Sequence, residues 1–153
     1  TNENMFDTLP KTSDKTFLTN TNSKQDSAKL GYDANHNLTT INGRKIITTS
    51  TTGVGSKSVV LYIWDDDQLD SDVVSLSLNG KWILEKYELQ LTKKAIRLTI
   101  DPLKPNYLIL YAISQGTKGP NTAGISIDDG FTEKKLTLKG DIHTSEAVKL
   151  LLK

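Results

Sequence analysis

The sequence predicts an all-β fold, an antiparallel β-sandwich of the jelly-roll type with a polar, partly extended N-terminal arm. Short runs of β-branched and aromatic residues recur about every 10–14 residues with turn residues between them, which is typical of sandwiches and barrels. The crossover helices that a parallel sheet needs are not apparent. A chain of 153 residues can bury one core. We therefore expect an arm over residues 1–30 and one sandwich domain over residues 31–153.

The N-terminal third gives the weakest strand signal. Residues 1–58 are rich in Thr, Asn, Ser and Lys, and their apolar residues are scattered. This low hydrophobicity favours an extended arm at the start of the chain. Two short strands are predicted at 38–41 and 45–49, because Asn42-Gly43 between them tolerates the positive φ angles of a two-residue hairpin turn.

The strand signal is strong from residue 59 onward. Residues 59–64 read VVLYIW, a β-branched and aromatic run that ends at an acidic cluster. Residues 73–89 alternate between apolar and polar side chains, and Asn79-Gly80 within them predicts a type I′ hairpin turn. Further strands are predicted at 95–100, 107–112, 123–128, 134–139 and 148–153.

The composition excludes several classes of protein. There are 19 basic and 18 acidic residues, so nothing favours binding to nucleic acid or to an anionic membrane. No apolar run approaches the ~20 residues of a transmembrane helix. We expect the chain to reach a membrane only through a partner or an anchor outside this sequence. The absence of cysteine excludes disulfides, thiol catalysis and Cys-ligated metals.

One loop carries a concentration of carboxylates. Five acidic residues fall within eight positions, and they are Asp65, Asp66, Asp67, Asp70 and Asp72. One interpretation is a solvated acidic turn whose side chains cap backbone N–H groups. The other is a Ca²⁺ site, because Ca²⁺ takes 6–8 oxygen ligands. The spacing is not that of an EF-hand. We expect no required cofactor, and Ca²⁺ is the only candidate.

No catalytic residue is predicted. His36 and His143 lie in polar, turn-like segments without metal-ligand spacing, and neither G-x-S-x-G nor H-E-x-x-H occurs. Residues 53–58 (GVGSKS) lack the Gly that a phosphate loop has directly before its Lys, and they precede a strand. A glycosidase would need two carboxylates facing each other in a pocket.

The aromatic residues could form a sugar-stacking surface if several shared an exposed face. They are Tyr62, Trp64, Trp82, Tyr87, Tyr107 and Tyr111. Most lie inside strong strand patterns, where packing in the core is the default expectation. Trp82 follows a hairpin tip, so it is the candidate ligand-binding residue.

Three stretches, residues 64–84, 107–130 and 143–150, carry a resemblance to a known family. They read WDDDQLDSDVVSLSLNGKWIL, YLILYAISQGTKGPNTAGISIDDG and HTSEAVKL. In these stretches the chain resembles a domain, often C-terminal, of secreted and mostly uncharacterised proteins of Bacteroidota-type bacteria. The family has Asp-Gly-Asp where this chain has Asp70-Ser71-Asp72, so a site that needs a glycine turn there does not carry over. The family also has Pro-Pro where this chain has Gly119-Pro120. The resemblance implies a sandwich-type fold and an extracytoplasmic location (secreted, cell surface or periplasm), and it supplies no activity.

A modification pattern agrees with that origin. Thr8 and Ser27 each follow Asp and precede a small or apolar residue, as at the O-glycosylation sites of such bacteria. About one match is expected by chance in a chain with this much Asp and Thr.

The leading functional hypothesis is a non-catalytic binding or assembly module that contacts an envelope protein, as in an outer-membrane complex, or a glycan. One alternative is a Ca²⁺-stabilised structural domain whose ligands come from the acidic loop. The other is a glycan-active hydrolase, which requires a concave pocket that holds two carboxylates, or a carboxylate and His143.

Overall fold

The computed structural model describes residues 27–66, 69, 71–114 and 120–153, so most of the predicted arm, Thr8, Asp67 and Asp70 lie outside the described residues. Within the described residues the chain forms strands and no helix, and so has no helix that could cross a membrane. The strands are β1 (Leu30–Tyr32), β2 (Leu38–Ile41), β3 (Arg44–Val54), β4 (Ser58–Asp65), β5 (Val73–Leu78), β6 (Lys81–Glu88), β7 (Lys94–Thr99), β8 (Asn106–Ser114), β9 (Asn121–Asp128), β10 (Glu133–Gly140) and β11 (Thr144–Leu152). The predicted all-β fold is confirmed.

The strands belong to one continuous, open sheet that folds into two layers. The first layer has the order β7-β4-β9-β10, and the second has the order β6-β5-β8-β11-β3-β2-β1. The two layers meet at the β10–β11 hairpin, where Gly140 pairs with Ser145. Apolar side chains of both layers form one core cluster, as a sandwich requires.

The alternation seen in the sequence decides which side chains enter this core. In β4, Val59, Leu61 and Ile63 are buried, whereas Val60 and Tyr62 are only partly so. In β8, a central strand as predicted, Leu108 and Leu110 enter the same core. In these two strands the core residues therefore alternate with residues that lie on the outer faces of the layers.

Both predicted two-residue turns have the backbone geometry that their sequences favour. Asn42 and Gly43 have φ angles of 50° and 79°, and Asn79 and Gly80 have φ angles of 55° and 88°. Positive φ at both central positions is the mark of a type I′ turn. These Asn-Gly pairs fix the registers of β2 against β3 and of β5 against β6.

One strand pair departs from the antiparallel expectation. β11 pairs with β3 in parallel along Thr144–Leu152, while its other side pairs with β8 in the antiparallel direction. The sequence gives no sign of this pair because about 90 residues of separate strands lie between its members, and alternation within a strand does not specify its neighbour. This partner explains why β3 extends to Val54 rather than ending near residue 49.

Candidate functional site

The described carboxylates of the acidic loop do not share one environment. Asp65 and Asp72, at the two ends of the loop, are each only 3% exposed. Asp66 is exposed, and one of its oxygens accepts a hydrogen bond from the Thr137 hydroxyl at 3.0 Å. The described part of this loop is therefore not a wholly solvated acidic turn, because Asp65 and Asp72 at its two ends are buried.

Backbone hydrogen bonds hold the two buried ends of the loop near each other. The Asp65 N–H donates to the Gln90 carbonyl at 2.7 Å, and the Leu89 N–H donates to the Asp72 carbonyl at 2.9 Å. Consecutive residues after β6 thus lie against both ends of the loop. Among the described residues, no three Asp, Glu or His side chains lie close enough together to hold a metal ion.

Asn121 brings a buried amide to the same end of the sandwich. It is the first residue of β9, and its side chain is buried. Two residues later, Ala123 pairs with Asp65 of β4. Its Nδ2 donates to the carbonyls of Val73, which follows Asp72, and of Ser114. Its Oδ1 is buried and has no hydrogen-bond partner among the described residues. Such an oxygen is normally satisfied by water or an ion.

Two aromatic side chains share the outer face of the first layer. Tyr62 and Trp64 alternate with the core residues of β4, so they point away from the core. Trp64 lies across Gly124 of the neighbouring strand, where a Cβ would come closer than 3 Å to three indole atoms. The Lys93 amine lies over the indole, 4.7 Å from the ring centroid.

Basic side chains surround these rings. Lys93, Arg97, Lys135 and Lys139 are exposed, and the strand registers and alternation place the last three on the outer face. Within the described part of the chain, the only ion pair shorter than 4.0 Å joins Lys104 to Asp101, on the opposite side of the core. The four basic residues around the rings therefore have no carboxylate partner there.

The acidic side chains of the same face are engaged by hydroxyls and by a turn. Glu133 accepts a short hydrogen bond from Ser126, and Asp128 accepts one from the Gly130 N–H at 2.8 Å. Asp66 accepts its hydrogen bond from the Thr137 hydroxyl. The outer face of the first layer thus combines two aromatic rings with basic side chains that form no ion pair with another described residue.

Trp82 lies on the second layer, away from these two rings. It is half-buried, and it packs edge-on against Tyr111 with 5.6 Å between ring centroids. The Arg44 guanidinium lies over the other ring of this pair, 3.7 Å from the Tyr111 centroid. Both rings pack on a second apolar cluster that includes Ile41 and Ile109. Packing accounts for these contacts of Trp82, and a ligand role for it stays a prediction.

The two histidines occupy exposed turns, and one of them adjoins a cleft with two carboxylates. That cleft, of about 260 Å³, is lined in part by Asp141 and Glu146, with His143 in the same hairpin turn. Asp141 accepts hydrogen bonds from the N–H groups of His143 and Thr144, which hold the pKa of its carboxyl below the usual range. Glu146 accepts from the Lys139 N–H at 2.9 Å.

These hydrogen bonds to Asp141 hold the backbone of the hairpin turn in place. A general acid needs a raised pKa, and hydrogen bonds donated to the carboxylate lower it. The preceding hairpin has the same Asp-x-x-Thr turn, in which the N–H groups of Thr132, Gly55 and Phe131 lower the pKa of Asp129 to about 2. The repeated Asp-x-x-Thr spacing is a sequence signal that would have predicted both turns.

Comparison with known proteins adds no relative to this geometry. No protein-family model matches the chain, and no curated protein or solved structure is significantly similar to it.

Proposed function

We propose that this chain is a non-catalytic, extracytoplasmic binding module that holds a glycan on the outer face of its first layer. The observation that carries the proposal is the pair formed by Tyr62 and Trp64, which project side by side from β4 away from the core. Residues i and i+2 of a strand lie about 6.5–7 Å apart, so the two rings form one continuous aromatic surface. The apolar C–H face of a pyranose packs on such a surface, and its hydroxyls need polar neighbours.

Those polar neighbours are present on the adjacent strands. Thr137 of β10 is exposed and lies beyond Gly124 on the same face. The exposed amines of Lys135 and Lys139 project from β10 on the same face. These groups favour a glycan that carries acidic sugars, because its carboxylates would find cations that pair with no carboxylate in the described residues.

Lys93 does not prevent stacking on Trp64. An exposed cation–π contact is worth about 0.5–1 kcal/mol, so a ligand can displace the amine at small cost. The displaced amine would remain beside the ring, within reach of an acidic group on the sugar. The resemblance to exported bacterial proteins supports an extracytoplasmic location, where acidic polysaccharides and envelope proteins are both accessible.

Affinity electrophoresis in gels that contain polygalacturonate tests this function. We expect the wild-type chain to be retarded, and Tyr62→Ala to weaken binding at least tenfold because the stacking surface is lost. Phe131→Ala is the matched control, since Phe131 is an exposed aromatic residue, 79% exposed, in the turn between β9 and β10, and it should bind like wild type. Thermal melting of each variant shows that the fold is intact.

Other outcomes would overturn the glycan assignment. Equal retardation by polygalacturonate and by DNA would show simple charge attraction, and equal loss in the Tyr62→Ala and Phe131→Ala variants would place binding elsewhere. If no acidic or neutral polysaccharide is bound and an envelope protein co-purifies instead, the partner is a protein.

A second candidate function is structural, with Ca²⁺ held at the buried ends of the acidic loop. The observation that favours it is the amide oxygen of Asn121, buried without a hydrogen-bond partner in the described residues beside the segment that carries Asp72. Carboxylate and amide oxygens are the ligands that Ca²⁺ prefers. Asp65, Asp72 and Asn121 would supply three of the 6–8 oxygens, and backbone carbonyls or water the others.

Melting temperatures in Ca²⁺ and in EDTA test this second candidate. Binding to the folded state alone stabilises it by about 2.7 kcal/mol at one hundred times the dissociation constant. We expect Asp72→Asn to abolish the rise in melting temperature. Asp66→Asn should keep it, because that exposed side chain is engaged by Thr137. Identical melting of the wild-type chain in millimolar Ca²⁺ and in EDTA would exclude the site.

A further inference from the structure

A second cleft lies at the end of the sandwich opposite the acidic loop. Four segments that are distant in the sequence form its walls, namely β1, the β1–β2 loop, the β5–β6 turn and the start of β8 with its preceding loop. Its volume is about 260 Å³, close to the lower end of the ~300–1,000 Å³ of small-molecule sites. It therefore has room for a small ligand. We name it the end cleft and define it by Tyr32, His36, Asn79, Lys104 and Tyr107.

We propose that the end cleft binds a single sugar ring that carries an anionic group, a carboxylate or a phosphate. Two aromatic side chains, Tyr32 and Tyr107, line the cleft together, so a pyranose that enters it would meet both. Lys104 and His36 bring nitrogen donors to the same space. This combination of rings and donors is what an acidic sugar requires, and the site does not depend on the glycan surface of the first layer.

Both basic and acidic side chains lie near the cleft. The Lys149 amine lies over the Tyr107 ring, 5.8 Å from the centroid, and Lys104 is 68% exposed at its side chain. The nearest acidic groups are Asp101 and Asp33. Asp101 lies 3.8 Å from the Lys104 amine, a surface pair of little energy. The Asp33 carboxylate accepts hydrogen bonds within its own loop. An anionic ligand would therefore meet the Lys104 amine, the cation among the lining residues.

His36 is held in a backbone conformation that few side chains adopt. Its φ angle is 63°, in the left-handed region. Asp33 fixes the loop, since one of its carboxylate oxygens accepts the N–H groups of Asn35 and Asn37, each at 2.9 Å. The His36 N–H donates to the Asp33 carbonyl at 3.0 Å. Because these bonds fix the loop, the position of His36 at the cleft is fixed before a ligand arrives.

The opposite wall is fixed by a buried amide, that of Asn106, which is 0% exposed. Its Oδ1 accepts from the Asp101 N–H at 2.7 Å and from the Asn79 Nδ2 at 2.9 Å. Its Nδ2 donates to the Asp101 and Lys104 carbonyls. Asn79 in turn accepts the Tyr107 N–H at 2.7 Å. Hydrogen bonds centred on the buried Asn106 amide thus connect the loop that carries Lys104, the β5–β6 turn and the start of β8, so these parts of the cleft are held together before a ligand binds.

Titration calorimetry with four separate probes tests the proposal: glucuronate, glucose 6-phosphate, glucose and inorganic phosphate. We expect glucuronate or glucose 6-phosphate to bind the wild-type chain at least tenfold more tightly than glucose. Inorganic phosphate should bind more weakly than the phosphorylated sugar. Which of the first two binds better identifies the acidic group. Equal binding of glucose would overturn the anionic requirement, and equal binding of phosphate would overturn the sugar requirement.

Two variants locate the site without disturbing the fold. Lys104→Met removes the exposed amine, and His36→Gly removes the imidazole while keeping a residue that adopts positive φ freely. Each should weaken binding of the preferred probe at least fivefold. Leu103→Ala is the control, because this neighbour in the same loop is 92% exposed and lies outside the cleft lining. Wild-type affinity in both variants, or the same loss in the control, would overturn the assignment, as would the absence of binding to all four probes.

Discussion

Replacing Asn106 by Ala should lower the free energy of unfolding by about 3 kcal/mol, a large effect for one polar side chain. The substitution leaves five partners without the amide, and the Leu150 carbonyl, at 3.3 Å, is among them. A hydrogen-bonding group left buried and unsatisfied costs more than the bond itself contributed. For a domain of this size the melting temperature should fall by roughly 6–12 °C.

Chemical unfolding measures this loss, and two further variants control it. Asn35→Ala should be close to neutral, because Asn35 is exposed and its only hydrogen bond found in the structure is from its backbone N–H. Asn106→Asp should also destabilise the fold, since a carboxylate cannot donate to the Asp101, Lys104 and Leu150 carbonyls. A loss below about 1 kcal/mol in Asn106→Ala would contradict a central role for this network.

Gly124→Ala should lower the free energy of unfolding by about 2 kcal/mol, because a Cβ at this position would displace the Trp64 indole. The indole would lose its packing on β9 and its contact with the Lys93 amine. Alanine is otherwise favoured over glycine in a strand by roughly 0.5–1 kcal/mol, so the loss must come from the ring. Glycan binding on the first layer should weaken in the same variant, since the aromatic surface is disturbed.

A double-mutant cycle separates the steric cause from any other. In the Trp64→Ala background, Gly124→Ala should be neutral or stabilising, because the indole is no longer there. Gly53→Ala is the matched control in a different strand, where the nearest atoms belong to the flexible Lys153 side chain, and it should change stability little. An equal loss for Gly124→Ala in both backgrounds would mean that the indole does not lie across β9.

The strands and turns were predictable because their causes are local. A strand was predicted at 148–153, where helix propensity alone would also allow a helix, and residues 148–152 form the end of β11, whose Val148 and Leu150 pack in the core. Asn79-Gly80 set its own hairpin because its two residues tolerate positive φ. β1 was missed, since three residues carry too little alternation to be read as a strand.

The candidate sites were less predictable, because exposure depends on which face of a strand meets the other layer. The run 59–64 is apolar throughout, so core packing was the natural expectation for Tyr62 and Trp64, and yet both lie on the outer face. The available signal was their spacing, because residues two positions apart in a strand lie on the same face and Tyr62 and Trp64 therefore share one. Asp65 and Asp72 are buried at loop ends whose partners come from the segment after β6, a contact that no spacing within the loop could indicate.

The sequence by itself determined the all-β class, most strand positions, the two Asn-Gly turns and the lack of a recognisable catalytic motif. Each of these follows from side chains a few residues apart, through alternation, backbone preference or motif spacing. Only the tertiary structure decided the parallel pairing of β3 with β11, the outward aromatic surface and the network around Asn106. These depend on residues tens of positions apart that pack together only when the two layers close on one core, so no local pattern records them.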